Sequence, residues 1–203
     1  MARIRRNGKR GIRRSTSESF ASSTRRESFN KKLVAIAAQG AREAGAEVTL
    51  IDLKDFPLPL FDQDLEAEQG MPENGKKLEK LFIDHDGLLI ASPEYNSSFP
   101  AVLKNAIDWV SRPAPGEPSL VAFRGKVATL MSASPGALGG LRGLVHVRSI
   151  LGNIGVIVLP DQIAVAKAHE AFQPDGSLVD PKQQAGIEGL GTTLASFLRK
   201  FKA

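Results

Sequence analysis

Three polar segments of the chain have the residue types of ligand-binding loops that lead into helices. The most informative, residues 92–98, follows a short apolar stretch and precedes a clear amphipathic helix. In open α/β sheets, ligands bind at such loops, at the carboxyl ends of parallel strands. Tyr95 offers a ring face, Asn96 offers an amide and Pro93 fixes the backbone. These groups suit a flat ligand with polar edges, and the alternative is a turn with a surface tyrosine.

The other two segments suit a phosphate and a closely approaching ring. Residues 22–30 place several hydroxyl groups, the guanidinium of Arg25 and the amide of Asn30 at the start of a helix. Helix amino termini favour phosphates, and Arg25 could add a bidentate contact. Residues 132–140 are rich in glycine, which permits close backbone approach. The alternative for residues 22–30 is a serine-capped helix with solvated arginines. The alternative for residues 132–140 is a flexible connection. Together, the three loops at one sheet edge would form a mononucleotide site.

The elements that must position these loops alternate between strand and helix, which predicts a parallel sheet covered by helices on both faces. Apolar strand patterns cover residues 47–53, 87–92, 126–131 and 155–159. Helical patterns cover residues 28–44, a segment that opens at Pro72, and residues 100–112, 140–152 and 181–201. With a first strand before residue 22, this order predicts a three-layer α/β sandwich with a mostly parallel, five-stranded sheet.

That first strand is doubtful. Doubly wound folds place it inside the sheet, but residues 12–21 are rich in Arg, Ser and Glu. Burying such charges unpaired costs several kcal/mol each. Three explanations stay open: a short and poor strand, a mistaken position for the strand, or a terminus that is not the natural one.

Composition narrows the class of protein. The 203 residues fit one domain, and the chain has no cysteine, which excludes disulfides and thiolate chemistry. No apolar run approaches the roughly 18 residues that cross a membrane, so we expect a cytoplasmic protein and no membrane partner. The three histidines lack ligand spacing, and we expect no metal site. The glycine motifs of dinucleotide and triphosphate folds are absent.

The basic charge is concentrated at the amino terminus. The net charge is +5, but residues 1–26 hold nine Lys or Arg and one acid, which leaves the remainder at −3. We predict a basic arm over residues 1–19, disordered or non-native, and a folded domain over residues 20–203. A polyanion-binding arm and a targeting signal are the alternatives. Because the body lacks interleaved basic and aromatic residues, a nucleic-acid partner is not expected.

The loops resemble a known family. The segment Pro93-Glu94-Tyr95-Asn96, followed by residues 100–109, is similar to the signature of the NADPH-dependent FMN reductases, which are flavodoxin-like quinone, chromate and azo-dye reductases. The first loop matches the family pattern S-x-R-x-x-S-x-N at Ser23, Arg25, Ser28 and Asn30. The third loop matches its A-S-P-G turn at residues 133–136.

The resemblance implies a non-covalently bound FMN, held at its phosphate by the first loop, along its ribityl chain and ring by the second, and over the ring by the third. The implied cofactor-binding residues are Ser23, Arg25, Ser28, Phe29, Asn30, Pro93, Glu94, Tyr95, Asn96, Ser97, Ser134 and Gly136. No catalytic side chain is expected, because the cofactor carries the chemistry.

The implied activity is hydride transfer from NADPH or NADH to the flavin N5, and then electron transfer to a quinone, an azo compound or a metal oxyanion. The resemblance also implies a homodimer or homotetramer. The alternative from another class is a non-enzymatic electron carrier resembling flavodoxin.

The sequence departs from the family pattern in two places. Ser22 stands where the family usually has glycine, and the family's apolar first strand is replaced by the Arg- and Ser-rich stretch. We take as a hypothesis a wrong start or a shifted reading frame upstream of Phe20.

Overall fold

A three-layer α/β sandwich is formed by residues 16–21, 24–113 and 116–201, the parts of the chain that the computed structural model describes. The strands are β1 Thr16–Ala21, β2 Glu47–Asp52, β3 Gly87–Ala91, β4 Val127–Ala133 and β5 Ile157–Val165. The helices are α1 Phe29–Glu43, α2 Gln63–Gln69, α3 Glu73–Asp84, α4 Ala101–Val110, α5 Leu141–Asn153, α6 Ala168–Ala171 and α7 Pro181–Phe201, with a short 3-10 helix at Leu53–Asp55. The strands form one parallel sheet in the order β2-β1-β3-β4-β5. This is the flavodoxin-like order, and it confirms the predicted fold class.

The first strand, which the sequence left doubtful, is present. β1 lies between β2 and β3 and pairs in parallel with both, so that Ser17 is opposite Val48 on one side and Gly87 on the other. An interior strand gains backbone hydrogen bonds along both edges, and these do not depend on the polarity of its side chains. The sheet therefore begins at Thr16, before the boundary that we predicted at residue 20. Residues 1–15 of the arm that we predicted over residues 1–19 lie outside the described residues.

The last strand continues beyond its predicted end at residue 159. β5 runs on to Val165, through Pro160, and its register with β4 shifts between the pairs Ala128–Val158 and Leu130–Gln162. Proline cannot donate a backbone hydrogen bond and is tolerated on edge strands and at bulges. Pro160 meets both conditions, because β5 is at the edge of the sheet and the shift occurs beside it.

The core lies on both faces of the sheet, as in other parallel sheets. Every residue of β3 and of β4 is buried. One apolar cluster lies under α1 and α7 and includes Leu33 and Leu194. The other lies under α3, α4 and α5 and includes Leu78, Leu103 and Leu144. These two clusters fix the helices whose amino ends carry the polar loops.

Helices α1 and α7 approach each other to backbone contact. A Cβ atom added at Gly191 would lie 1.9 Å from the carbonyl oxygen of Ala37, and one added at Gly40 would lie 2.1 Å from that of Glu188. The Thr192 hydroxyl also donates a hydrogen bond to the carbonyl of Gly40 at 3.1 Å. Glycine at these two places therefore lets α1, whose amino end carries the first loop, pack closely against α7.

Two residues of the signature segment hold α4 in place. The indole N–H of Trp109 and the amide of Asn105 both donate to the carbonyl of Pro59, each at 2.8 Å. Asn105 also accepts from the backbone N–H of Phe61 at 2.8 Å, and the ring of Phe61 meets Trp109 edge to face at 5.0 Å. These side chains fasten the segment after β2 to α4, which follows the second loop.

The segment over residues 56–70, which reads as a loop in the sequence, contains α2. Asp62 caps this helix by accepting a hydrogen bond from the backbone N–H of Asp64 at 2.8 Å. Glu66 pairs with Arg112 at 2.8 Å. Asp62 and Glu66 therefore have structural roles in this segment. Within the described ranges, none of the helices combines the length and hydropathy that a bilayer-spanning helix needs.

Candidate functional site

The three polar loops meet at one rim of the sheet, where β1, β3 and β4 end side by side. They line a shared hollow. Its lining residues are Arg25, Ser28, Phe29 and Asn30 from the first loop, Pro93, Glu94 and Tyr95 from the second, and Ala133, Ser134 and Pro135 from the third. Eight of the residues named from the sequence are thus brought together. Asn96, Ser97 and Gly136 lie on the same loops but are exposed outside the lining, and Ser23 lies outside the described residues.

The first loop presents the features of a phosphate site. Ser28 precedes α1, is 4% exposed and makes no capping hydrogen bond with its side chain. The first turn of α1 contains no acidic residue, and the amino end of a helix carries a partial positive charge. Arg25 donates to the carbonyl of Glu27 at 3.0 Å and lies over the ring of Phe29, 5.1 Å from its centroid. A helix amino terminus and a guanidinium therefore face the same hollow.

Asn30 joins the first loop to the third. Its side chain is 3% exposed, donates to the carbonyl of Ala133 at 2.8 Å and accepts from the N–H of Ala133 at 3.0 Å. The amide is therefore paired with the backbone of the other loop. The resemblance implied a contact from Asn30 to the phosphate, but the geometry gives this side chain a structural role in the wall of the hollow.

The second loop contains a tight turn that leaves Tyr95 at the rim. The N–H of Tyr95 donates to the carbonyl of Ser98 at 2.8 Å, and the N–H of Ser98 donates back at 3.0 Å. Asn96 and Ser97 between them have φ values of 50° and 66°, the left-handed pattern of a type I′ turn. Tyr95 is 54% exposed. Its ring is therefore available to a planar ligand. The turn that presents it has a backbone conformation that only a few residue types adopt readily.

Glu94 lines the hollow, but its carboxylate is bound to α5. The side chain is 8% exposed. It accepts from the backbone N–H groups of Arg142 and Gly143 at 3.1 and 3.3 Å, and from Nε of Arg142 at 2.7 Å. Burial alone would raise the pKa of Glu94, but the hydrogen bonds from Arg142 and Gly143 outweigh it and lower the pKa below its ordinary value. Glu94 is therefore an ionised cap of α5, and the role in cofactor binding implied for it would fall to its backbone.

The third loop is fastened to the end of β5. The N–H of Ser134 donates to the carbonyl of Val165 at 3.1 Å, and its carbonyl accepts from the N–H of Ala168 at 3.0 Å. The Ser134 hydroxyl accepts from the N–H of Gly136 at 3.3 Å. These bonds hold the loop over the hollow, with Ser134 half-buried and Gly136 exposed.

Glycine at the end of the third loop lets α5 start beside the sheet. Gly140 has a φ of 94°, and a Cβ atom added there would lie 1.9 Å from the hydroxyl oxygen of Ser132. Ser132 is completely buried, and this hydroxyl has no hydrogen-bond partner among the described residues. Only glycine fits such a position without displacing the strand end beneath it.

Sequence reasoning missed the contribution of α5. Arg142 binds Glu94, and the hydroxyl of Ser98 lies 2.9 Å from Nδ1 of His146. The two α5 residues are four positions apart, on one face of the helix. This spacing, matched by that of Glu94 and Ser98, is the one signal in the sequence that could have indicated the contact.

A second, larger hollow lies on the other side of the first loop. It is bounded by Thr24, residues 53–58 and one face of α4, and most of its lining is apolar. Of these two hollows between described residues, the smaller one is lined by residues of all three loops. In the parts of the chain that the structure covers, no group of three or more His, Asp or Glu residues is placed to hold a metal ion.

Comparison with known proteins matches the chain to one family model and to several enzymes. The family model described as NADPH-dependent FMN reductase matches residues 19–170. The chain is 34% identical over 166 residues to an NAD(P)H-dependent FMN reductase of Pseudomonas aeruginosa, an alignment that covers 81% of this chain and 85% of the relative. It is 40% identical over 183 residues to a quinone reductase of Pseudomonas putida, covering 89% and 93% of the two chains.

Among solved structures, the chain is similar to the flavoenzyme NAD(P)H:(acceptor) oxidoreductase FerB from Paracoccus denitrificans. The TM-score is 0.76 and the identity 28%, and the match covers 92% of this chain and 98% of that one. An archaeal flavodoxin matches with a TM-score of 0.59 at 9% identity, over 90% and 98% of the two chains. The second similarity concerns the fold alone.

Proposed function

Because the chain belongs to the NADPH-dependent FMN reductase family, we propose that it holds one FMN in the hollow between the three loops and passes electrons from NAD(P)H to quinones. Membership confirms three predictions made from the sequence: an oxidoreductase, FMN as cofactor and NAD(P)H as co-substrate. The position of the cofactor and the identity of the acceptor are our proposal.

One observation carries this position: Arg25, Tyr95 and Ser134, from three separate loops, share a single hollow. The phosphate fits the first loop, where the amino end of α1 lacks an acidic residue and Arg25 lies close by. The ring fits the space between Tyr95 and the third loop, where backbone groups approach closely. The donor set therefore matches a flat ring joined to a phosphate.

FMN, when bound, supplies the acceptor and donor of the hydride, and the residues of the chain supply binding and orientation. Arg25 and the N–H groups at the start of α1 would neutralise the phosphate. Ser134 and its neighbouring backbone would orient the ring edge, and Tyr95 at the rim would limit the access of water. No side chain of the hollow is needed as a nucleophile.

Quinones are the acceptor that we favour. Similar proteins include quinone reductases of Escherichia coli and Pseudomonas putida and a 2-hydroxy-1,4-benzoquinone reductase of Burkholderia. The half-exposed ring of Tyr95 offers a stacking surface to a planar acceptor at the open side of the hollow. Azo compounds and metal oxyanions are further acceptors within the proposal.

We also propose a homo-oligomer, a dimer or a tetramer, that covers the rim of the hollow. Leu138, Leu141 and Val145 are 51%, 42% and 57% exposed, beside the helix start that binds Glu94. Leu141 and Val145 lie one helical turn apart and so form a continuous apolar surface. Val145→Glu should lower the mass measured by light scattering, and Val179→Glu, at a residue 58% exposed on another segment, should not. Equal masses for all three proteins would contradict the assignment of this surface.

A quinone-dependent assay tests the activity and separates it from the alternative, an electron carrier resembling flavodoxin. The purified protein, supplied with FMN, should oxidise NADPH or NADH continuously when a benzoquinone is present. A carrier would need a separate reductase and would leave NAD(P)H unchanged. The family match does not favour the carrier. A cytoplasmic location and the absence of a nucleic-acid partner stay predictions from the sequence.

A further inference from the structure

The turn that carries Tyr95 is held at both ends by one face of α5. Before the turn, the carboxylate of Glu94 binds Arg142, with Nε 2.7 Å from Oε1. At its end, the hydroxyl of Ser98 lies 2.9 Å from Nδ1 of His146. Arg142 and His146 are four positions apart on α5, so their side chains extend from the same side of the helix, one turn apart. Two polar contacts therefore bracket the rim of the hollow.

The turn needs such support because its backbone is strained. Asn96 and Ser97 both have positive φ values, 50° and 66°. Asparagine tolerates this region well, but for a residue such as serine it costs about 1–3 kcal/mol unless the surrounding structure holds it there. The two hydrogen bonds within the turn fix its own shape, but they do not fix its position relative to the first and third loops.

The start of α5 is shaped to receive the turn. A Cβ atom added at Gly143 would lie 3.3 Å from the carbonyl oxygen of Ser98 and 3.5 Å from Cα of Glu94. At Gly140, a Cβ atom would lie 3.6 Å from Cβ of Glu94. Small residues on this face thus let the helix approach the loop closely enough for its N–H groups to reach the carboxylate.

We propose that Arg142 and His146 are positioning residues of the flavin site, which act through Glu94 and Ser98 to set where the Tyr95 turn stands over the hollow. Neither residue lines the hollow itself. The inference rests on the proposed function, because it assigns these residues to the binding of FMN. It implies that the affinity for the cofactor depends on an ion pair outside the cofactor's own contacts.

Flavin binding by variants of the full chain tests the proposal. The dissociation constant of FMN is measured on FMN-free protein by quenching of flavin fluorescence, and the circular dichroism of the bound flavin reports the surroundings of the ring. Arg142→Met should weaken FMN binding about tenfold or more and change the dichroism, since it removes the guanidinium from a buried carboxylate and leaves only the two backbone N–H donors. Arg142→Lys should restore part of the affinity, and His146→Ala should weaken binding by a smaller factor.

The control is Lys80→Met, which removes an exposed ion pair with Asp84 on α3, 2.7 Å long and remote from the hollow. It should leave both flavin readouts unchanged. In a double variant with Glu94→Gln, Arg142→Met should add little to the loss caused by Glu94→Gln alone, because the two side chains act as one pair.

A wild-type affinity and dichroism in Arg142→Met would overturn the inference, whatever its melting temperature. If that variant does not fold, His146→Ala and Glu94→Gln provide the same readouts, and unchanged flavin binding in both would overturn it equally. Failure of the wild-type protein to bind FMN would instead refute the proposed function.

Discussion

Asn30 and Ala133 are 103 positions apart along the chain and share two hydrogen bonds, at 2.8 and 3.0 Å, between the side-chain amide of Asn30 and the backbone carbonyl and N–H of Ala133. The pair joins the first loop to the third across the sheet, beneath the hollow. The two loops therefore cannot separate without leaving a buried peptide group unpaired. This geometry makes the shape of the hollow, where we propose that FMN binds, part of the folded core.

We expect Asn30→Ala to destabilise the fold and to weaken flavin binding together. The substitution leaves the N–H and carbonyl of Ala133 without their partner, and an unsatisfied buried group costs about 1–3 kcal/mol. Urea denaturation should show a free energy of unfolding lower by about 2–4 kcal/mol. The matched control is Asn74→Ala, which removes an exposed hydrogen bond to the carbonyl of Pro57. If the free energy of unfolding falls by the same small amount in both variants, Asn30 does not stabilise the site.

Gly140→Ala should be among the most damaging small substitutions at the site. The added methyl group would lie 1.9 Å from the hydroxyl oxygen of Ser132, and the residue has a φ of 94°. Steric overlap and an unfavourable backbone together should lower the free energy of unfolding by about 2 kcal/mol or more. Thermal denaturation followed by far-ultraviolet circular dichroism measures this change.

Gly152→Ala is the control for that substitution. Gly152 lies within α5, and a Cβ atom there meets no heavy atom of the described residues within 4 Å. Alanine should stabilise the helix at this position by about 0.5–1 kcal/mol. A melting temperature that falls equally in both variants would show that the close approach at Gly140 has no special consequence.

Arg25→Ala should weaken FMN binding by about ten- to a hundredfold. A hydrogen bond to a charged group contributes about 1.5–3 kcal/mol, and the phosphate would lose its guanidinium. Arg26→Ala removes an exposed arginine that is absent from the lining of the hollow, and it should have a much smaller effect. Riboflavin, which lacks the phosphate, should bind wild type and Arg25→Ala with similar affinity. If Arg25→Ala lost affinity equally for FMN and for riboflavin, the assignment of Arg25 to the phosphate would be contradicted.

Much of the architecture is predictable from the sequence because helix and strand periodicities are local. The patterns around α1, α4 and α7 and the apolar run of β3 identify those elements, and the parallel order then brings the three loops to one rim. The sequence left β1 doubtful because its residues are polar. In the structure, this strand pairs with β2 along one edge and with β3 along the other. β5 was cut short at Pro160, which an edge strand tolerates.

The detail of the site was less predictable because its hydrogen bonds join residues remote in sequence. Glu94 and Arg142 are 48 positions apart, and nothing in either segment alone shows that the carboxylate caps α5. The resemblance to a family named three loops that the structure brings to one hollow, but it could not separate side chains that face the hollow from those that hold its walls. Glu94 and Asn30 belong to the second group.

Glu79 should make stability depend on pH. It is 8% exposed, and its Oε1 has no partner among the described residues. Burial, and then the negative charge of Glu117, raise the pKa of Glu79. The folded protein therefore holds this proton more tightly than the unfolded chain does. Stability should fall as the pH rises from the ordinary glutamate pKa of about 4.3 through the raised value.

Glu79→Gln should therefore raise the melting temperature at about pH 8 and leave it nearly unchanged at about pH 4, where the carboxyl group of the wild type is already protonated. Glu117→Gln removes the repulsion without changing the burial of Glu79, and should give a smaller gain. An equal shift at both pH values for Glu79→Gln would show that the effect is not one of ionisation.

The most direct test of the account is an anaerobic titration of the purified, FMN-supplied protein with NADPH, followed by visible absorbance. We predict a yellow protein that carries one FMN per chain, loses its flavin absorbance on addition of NADPH and regains it on addition of a benzoquinone. A colourless protein that takes up no added FMN, or a bound flavin that NADPH does not bleach, would contradict the claim that these three loops form a flavin site for hydride transfer.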